Sequence, residues 1–341
     1  MSTAQDEGGS VAVAATAASA PAKRRRPAAL THIPSRYAII GVWALLILFY
    51  SVTESGTFPH ILTFQAIFNS QEPLVFMTMA LMCTIVVGEF VDLSVPSLFG
   101  FAATVMPVLV GNHGWNVWLG SLVAIVAATL VGVVNGWLVV KLHVNTIVVT
   151  LGMSTLLTGL SLLISNDNVS AGVPASFSSI ANKDIGGLPV SFYYGVVLVL
   201  GFAYLLACTP LGRHMRFVGA SREVSRLSGV RVDRIRFGSF VFAGLLSGVG
   251  AIIEVASIGS YNASGANEFL LSTFAAVFLG TAIFEPGRFN PLGTFVGIYF
   301  LETGVIGLQL HSAAVWIEPV FYGAVLVVAV TISTLLHRRT T

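Results

Sequence analysis

Charge is scarce in this sequence. Asp, Glu, Lys and Arg make up 9% of the 341 residues, against roughly a quarter in soluble domains. With 55% apolar residues and a mean hydropathy of +0.86, that shortage excludes a soluble globular protein. A chain with so little polar surface must bury most of its length outside its own core, and a bilayer is the medium available. Neither sign of charge dominates: 17 basic against 15 acidic residues give a net +2, too little to argue for a nucleic-acid partner. Cysteine is nearly missing. Cys83 and Cys208 both lie in apolar runs, so neither a disulfide framework nor a thiol pair at metal-ligand spacing is present, and both read as small apolar fillers. There is also no GxxxxGK phosphate loop, no HExxH zinc helix and no DDxxD pair. The chain therefore has no nucleotide engine of its own, no cofactor is expected on it, and an intramembrane enzyme would lack its nucleophile, base or metal.

What the sequence does contain is apolar runs of membrane length. Residues 1–36 stand apart, with an Ala and Ser stretch and then Lys23, Arg24, Arg25, Arg26 and Arg36. They are expected to form a disordered cytoplasmic tail, since the basic cluster lies far from Met1 and precedes a spanning segment instead of opening a secretory signal. Ten apolar segments follow: Tyr37 to Val52, Leu74 to Gly88, Leu93 to Val110, Trp115 to Val140, Val144 to Ile164, Leu188 to Cys208, Phe237 to Ile258, Phe269 to Phe284, Leu292 to Leu308 and Ala313 to Leu336. The expected fold is all-α, a polytopic membrane protein of about ten transmembrane helices over residues 37–336, with residues 337–341 a cytoplasmic terminus. Several segments are too short to span unaided. The second and third are parted only by Glu89, Phe90, Val91 and Asp92, which indicates interrupted or tilted helices with polar backbone buried in protein.

Loops facing the cytoplasm should be rich in Lys and Arg. If the amino terminus is inside, ten spans place Lys141, the seven arginines from Arg213 to Arg236, Arg288, Arg338 and Arg339 inside with the tail, and leave Lys183 as the one external basic residue of seventeen. Both termini are then cytoplasmic. Ten spans divide into five and five, and an odd number per half requires any repeat to be inverted. The run from Asn135 to His143 can be laid on that from Thr303 to His311, a faint trace of such a repeat.

Carboxylates inside apolar runs are candidates for coupling an ion. Asp92 and Glu254 lie near span ends, whereas Glu302 looks central. Asn135 and Thr150 are polar in apolar helices and could line a wet path or hydrogen-bond between helices. The pairs Gly244 with Gly248 and Gly293 with Gly297 have the spacing of close helix packing. The most informative stretch is the internal loop at 209–236. It holds seven arginines against Glu223 and Asp233 and carries a compact helix signal, with Ser221 as amino cap, Val224 and Leu227 on one face, and Gly229 as closure. A helix of about two turns is unstable alone, so it must pack on its own spans or on a partner. The bland alternative is arginines that touch anionic lipid headgroups.

At this point a resemblance emerges. The stretch from Thr209 to Val230, TPLGRHMRFVGASREVSRLSGV, resembles the TxxGRxxxAxGGNxxAARLSGI loop in the membrane permease subunits of bacterial ATP-binding-cassette sugar importers of the ribose, xylose and arabinose type. Val91 to Val95, VDLSV, is similar to their GGIDLSVGS. Asn135 and Gly136, followed by Thr150, Leu151 and Gly152, match their NG and FIVTLG elements. Leu279 and Gly280 through Gly293 and Thr294 match a GG, GG, GT series. The chain departs from the pattern at Val91, Pro96, Ser221 (where the family has Asn) and Glu285 to Asn290, EPGRFN, so the particular sugar stays open, a polyol or other small polar solute included.

The resemblance implies that the chain is non-catalytic and carries the coupling helix. Its coupling residues would be Gly212, Arg213, Gly219, Ala220, Ser221, Arg222, Glu223, Arg226, Leu227, Ser228 and Gly229, seated on a separate ATPase subunit that uses ATP and Mg. It further implies a second permease copy, identical or related, and an extracytoplasmic solute-binding protein. The candidates for the translocation path are then Asp92, Ser94, Asn135, Thr150 and Glu302. The alternative is an ion-coupled secondary transporter that works without an ATPase, with Glu302 as its coupling carboxylate.

Overall fold

The computed structural model of the chain describes residues 37–89, 91–311 and 316–340. The tail expected at residues 1–36 lies outside the described residues. The described chain is helical throughout, apart from a two-residue hairpin, β1 (Asp184–Ile185) with β2 (Leu188–Pro189), and one isolated bridge between Ser170 and Tyr261. In chain order the helices are α1 (Ala38–Thr53), α2 (Ile61–Asn69), α3 (Glu72–Val86), α4 (Val95–Pro107), α5 (Val117–Gly136), α6 (Thr146–Ser165), α7 (Ala175–Asn182), α8 (Val190–Cys208), α9 (Pro210–Ala220), α10 (Arg222–Leu227), α11 (Val232–Ile258), α12 (Phe269–Gly280), α13 (Pro291–Leu310) and α14 (Ile317–Thr340).

Each of the ten expected apolar segments overlaps one of these helices. Among the described residues six helical stretches are long and apolar enough to cross a membrane alone: Val95–Asn112, Val117–Lys141, Thr146–Ser165, Val190–Cys208, Val232–Ile258 and Pro291–Leu310. The chain is thus a multi-pass, all-helical membrane protein. The apolar parts of α1, α12 and α14 are shorter. α3 is a different kind of element, a fifteen-residue helix in which every residue is buried, so it lies wrapped in protein rather than facing lipid. The two runs aligned as a repeat differ locally. Trp137–Lys141 ends α5 as a π-helical turn, whereas Thr303 to Leu310 stays regular α-helix.

The centre of the bundle is α11. Its 27 residues rise about 40 Å at 1.5 Å each, and it packs along α5, α3 and α4. Small residues set that approach. A Cβ on Gly244 would stand 2.6 Å from the carbonyl oxygen of Ala128, and one on Gly132 2.5 Å from that of Phe240. Gly293 plays the same part between α13 and α12, against the carbonyl of Gly280. The spaced glycine pairs are therefore helix-packing positions.

Helix ends gather in two groups. In one, the rings of Tyr37 and Phe284 lie 6.1 Å apart, Arg216 lies 4.0 Å from Glu285, and Gly88 meets Arg222. In the other, Asn182 bonds Ser257, Gln65 bonds Gly187, Ser170 bridges Tyr261, and His311 lies 3.3 Å from Glu54. α11 runs between them, with Arg236 in the first group and Ser257 in the second. The turns that end α4 and α5 are built alike. Each closes with a π-helical turn (Val108–Asn112 and Trp137–Lys141), a positive-φ residue (Gly114 at 66°, His143 at 58°) and an Asn whose side chain caps the next helix, Asn116 from Trp118 N–H and Asn145 from Ile147 N–H, both at 2.9 Å. Asparagine suits the cap because its side-chain oxygen takes up one of the orphan amides of the first turn. The second of these turns delivers the start of α6 to the arginine-rich loop.

Candidate functional site

The arginine-rich loop is two helices, not one. Thr209 starts α9 by accepting a hydrogen bond from Gly212 N–H at 3.1 Å, and Pro210 holds the first position, where no amide is needed. α9 does not stand out in the sequence as a separate helix because Thr209 alone parts it from the apolar run of α8, although Met215 and Val218 recur at helical spacing on its buried side. Gly212 lets α9 fold tightly back on α8: a Cβ there would strike the backbone of Leu205 and Leu206. At the far end Gly219 lies on the terminus of α3, where a Cβ would collide with the carbonyl of Val86. Ser221 then ends α9 and caps α10, its Oγ accepting from Val224 N–H at 3.3 Å. Gly229, at φ 81°, closes α10, with Val230 N–H bonded back to Ser225 O. A left-handed residue here favours glycine because it has no Cβ to clash.

A six-residue helix cannot stand alone, and its apolar pair does not hold it. Leu227 is 86% exposed and Val224 50%. The hold is polar. Arg222 Nη2 donates to Gly88 O and to Glu89 Oε1, each at 2.9 Å. Glu89 Oε1 also accepts from Arg236 Nε at 2.6 Å, and Glu89 Oε2 accepts from Thr146 Oγ1 at 2.6 Å. The Glu89 side chain is 4% exposed, Arg236 10% and Arg222 44%. One buried carboxylate thus joins the end of α3, the start of α6, α11 and the loop helix. Such a carboxylate is tolerable only with compensating charge and hydrogen bonds, and two guanidiniums and a hydroxyl supply them. Of the other candidates, Arg226 lies 3.4 Å from Asp233 across the exposed side of the loop, Ser228 Oγ donates to Val224 O, and Arg213, Ala220 and Glu223 also belong to this surface.

Neither Glu89 nor Arg236 stood out in the sequence. Glu89 looked like a mere interruption between two apolar runs, and the expected preference of arginines for cytoplasmic loops gave Arg236 an explanation of its own. The available signal was position: Arg236 falls immediately before an apolar run, where a guanidinium needs a partner from elsewhere in the chain.

A second polar group lies close by. Asp92 Oδ1 accepts from Ser94 N–H at 3.1 Å and from Ser94 Oγ at 2.7 Å, and Asn135 Nδ2 donates to Ser94 Oγ at 2.9 Å. Thr150 Oγ1 lies 3.4 Å from Val91 O, and Ser97 and Ser154 share a bond of 2.6 Å. Asp92, Ser94, Asn135 and Thr150 are each at most 1% exposed. Asp92 Oδ2 and Asn135 Oδ1 are buried without a hydrogen-bond partner. Four of the five path candidates therefore sit together, where α4, α5 and α6 meet. Glu302 does not join them: it stands on α13 beside Gln71 and Ser70 and near Glu318. Among the described residues no group of three or more His, Cys, Asp or Glu could hold a metal ion.

Comparisons with known proteins bear on this arrangement. Residues 64–330 match the family model described as branched-chain amino acid transport system / permease component. Over 262 residues the chain is 30% identical to the autoinducer 2 import system permease protein LsrD of Escherichia coli strain K12, and equally to that of Shigella flexneri. The aligned part covers 75% of this chain and 79% of either relative. No solved structure matches the chain.

Proposed function

Since the chain belongs to the family of permease components of branched-chain amino acid transport systems, we propose that it is the membrane-spanning permease subunit of an ATP-driven importer that moves a sugar or similar small polar solute into the cell. It performs no catalysis; ATP and Mg are used by a separate ATPase subunit. It works in the inner membrane of a bacterium, paired with a second permease chain, identical or related, and is supplied by an extracytoplasmic solute-binding protein. The LsrD relatives carry autoinducer 2 import in their name and the family description names branched-chain amino acids. The solute is accordingly proposed by class, and its identity would rest mainly with the binding protein.

The observation that carries the reading is a short helix, α10, with an unburied Leu227 at its outer side and a buried charged anchor at its root. An exposed apolar side chain on a helix tied to its own bundle by Arg222 and Glu89 is suited to take a push from outside and pass it on as a rigid-body shift of α3, α6 and α11, giving alternating access. Ten crossings with both termini cytoplasmic agree with the sorting of helix ends: Lys141, the loop arginines and Arg288 belong to the group around Gly88, and Lys183 to the group around Asn182. That split satisfies the inside preference of basic residues. Any repeat between the two halves of ten spans would have to be inverted, five against five.

Uptake into vesicles tests the proposal. Transport that requires ATP together with the cognate ATPase supports it. Transport by the purified chain alone, driven by an ion gradient and abolished by Glu302→Gln, would establish the carrier reading instead.

A further inference from the structure

Beside the Glu89 anchor lies an open cleft of about 280 Å³, its wall formed by Arg222, Arg236, His143, Asn145 and Thr146 with two valines. None of the lining residues is acidic. The neighbouring charges do not balance, because two guanidiniums share the one carboxylate of Glu89. Arg222 makes both of its bonds through Nη2. A guanidinium offers five N–H donors in a rigid fork, and the Nε and Nη1 groups of Arg222 have no acceptor among the described residues. The amino end of the twenty-residue α6 opens on the same cleft at Asn145 and Thr146, and its dipole adds partial positive charge.

The geometry points to this cleft as the seat of a carboxylate side chain from the docked ATPase subunit, with Arg222 bridging that carboxylate and Glu89. The inference rests on the docking proposed above and deepens it. Arg222 opens the same short helix that ends at the exposed Leu227, so a protein that covers Leu227 reaches the mouth of the cleft as well. With the incoming carboxylate in place, two guanidiniums face two carboxylates and the surplus charge is neutralised. A charge-assisted hydrogen bond from the unused Nη1 or Nε group holds the incoming carboxylate against the guanidinium. Load on the partner then reaches α3 and α11 through one guanidinium in contact with both sides.

The test uses the full-length permease in lipid nanodiscs and measures association with its ATPase across a salt series. Arg222→Gln removes the bridging charge. Asn145→Asp keeps a capping oxygen for α6 while placing a carboxylate in the cleft itself. Each is expected to weaken association about tenfold at low salt and to flatten its salt dependence. Leu227→Ser should weaken association with the salt dependence kept. If Arg222→Gln and Asn145→Asp bind like the unaltered chain while Leu227→Ser binds poorly, the cleft is not used and the docking reading survives. If all three bind like the unaltered chain, the docking reading falls with it. Should Arg222→Gln fail to fold, Asn145→Asp decides alone. Competition by inorganic phosphate beyond that of chloride at equal ionic strength, with no response to Asn145→Asp, would assign the cleft to a free anion and overturn the proposal.

Discussion

Glu89 and Asp92 sit three residues apart on the segment that joins α3 to α4, and both are almost wholly buried, at 4% and 1% exposure. Their surroundings differ completely. Glu89 receives guanidiniums from Arg222 and Arg236, which lie 133 and 147 positions further along the chain. Asp92 receives only the amide and hydroxyl of Ser94, and its second oxygen has no partner. The same chemical group is therefore used in two ways. At Glu89 a charge is fixed by other charges and ties distant elements together. At Asp92 a carboxyl sits in a small network of uncharged groups between helices, with no cation paired to it among the described residues.

The largest expected effect comes from breaking the charged half of that contrast. Arg236→Met should leave Glu89 with the half-exposed Arg222 as its one guanidinium beside the Thr146 hydroxyl and cost up to about 3–5 kcal/mol, the scale of a broken buried pair. A thermal melt in detergent would record it, and adding Glu89→Gln should recover most of the loss. If the single variant melts like the unaltered chain, the anchor is not what holds the loop. Next in size is Gly219→Val, which presses a side chain against the Val86 carbonyl. A cost of about 1–3 kcal/mol is expected for overpacking of this kind, together with uptake lost out of proportion to stability.

Asp92→Asn sharpens the comparison from the other side. The amide keeps an acceptor for Ser94, so the melt should move by about 1 kcal/mol or less. A drop as large as that of Arg236→Met would erase the distinction drawn between the two carboxylates. The smallest effect is expected from Glu302→Gln, which stands outside both networks: uptake should stay within a few-fold of the unaltered chain, whereas abolition would favour ion coupling.

Much of the fold was legible because membrane helices declare themselves by apolar length. The glycine spacings on α11 and α13 also named their packing partners' closeness, if not the partners. The cap at Ser221 and the closure at Gly229 were readable from local chemistry alone. Other features were not. α9 follows α8 after the single residue Thr209, so no connecting loop marks its start even though Met215 and Val218 recur at helical spacing, and the burial of α3 on all sides leaves no periodicity to separate it from a lipid-facing span. The Glu89 anchor depends on pairing across more than a hundred residues, which no local pattern records. Asp92, Ser94, Asn135 and Thr150 were individually visible as polar residues in apolar runs. Only the packing of α4, α5 and α6 brings them into one network and leaves Glu302 elsewhere.

The claim on which the account turns is that the outer side of α10 meets a separate motor in the cytoplasm. Leu227→Cys, introduced with Cys208→Ser so that the exposed native thiol is removed and only the buried Cys83 remains, allows a direct measurement by crosslinking in the assembled importer. The account predicts a crosslink to the ATPase subunit whose yield changes on ATP addition, and no labelling of Leu227→Cys by an impermeant thiol reagent applied outside intact cells. Labelling from outside, with no crosslink in a complex that transports, would contradict it.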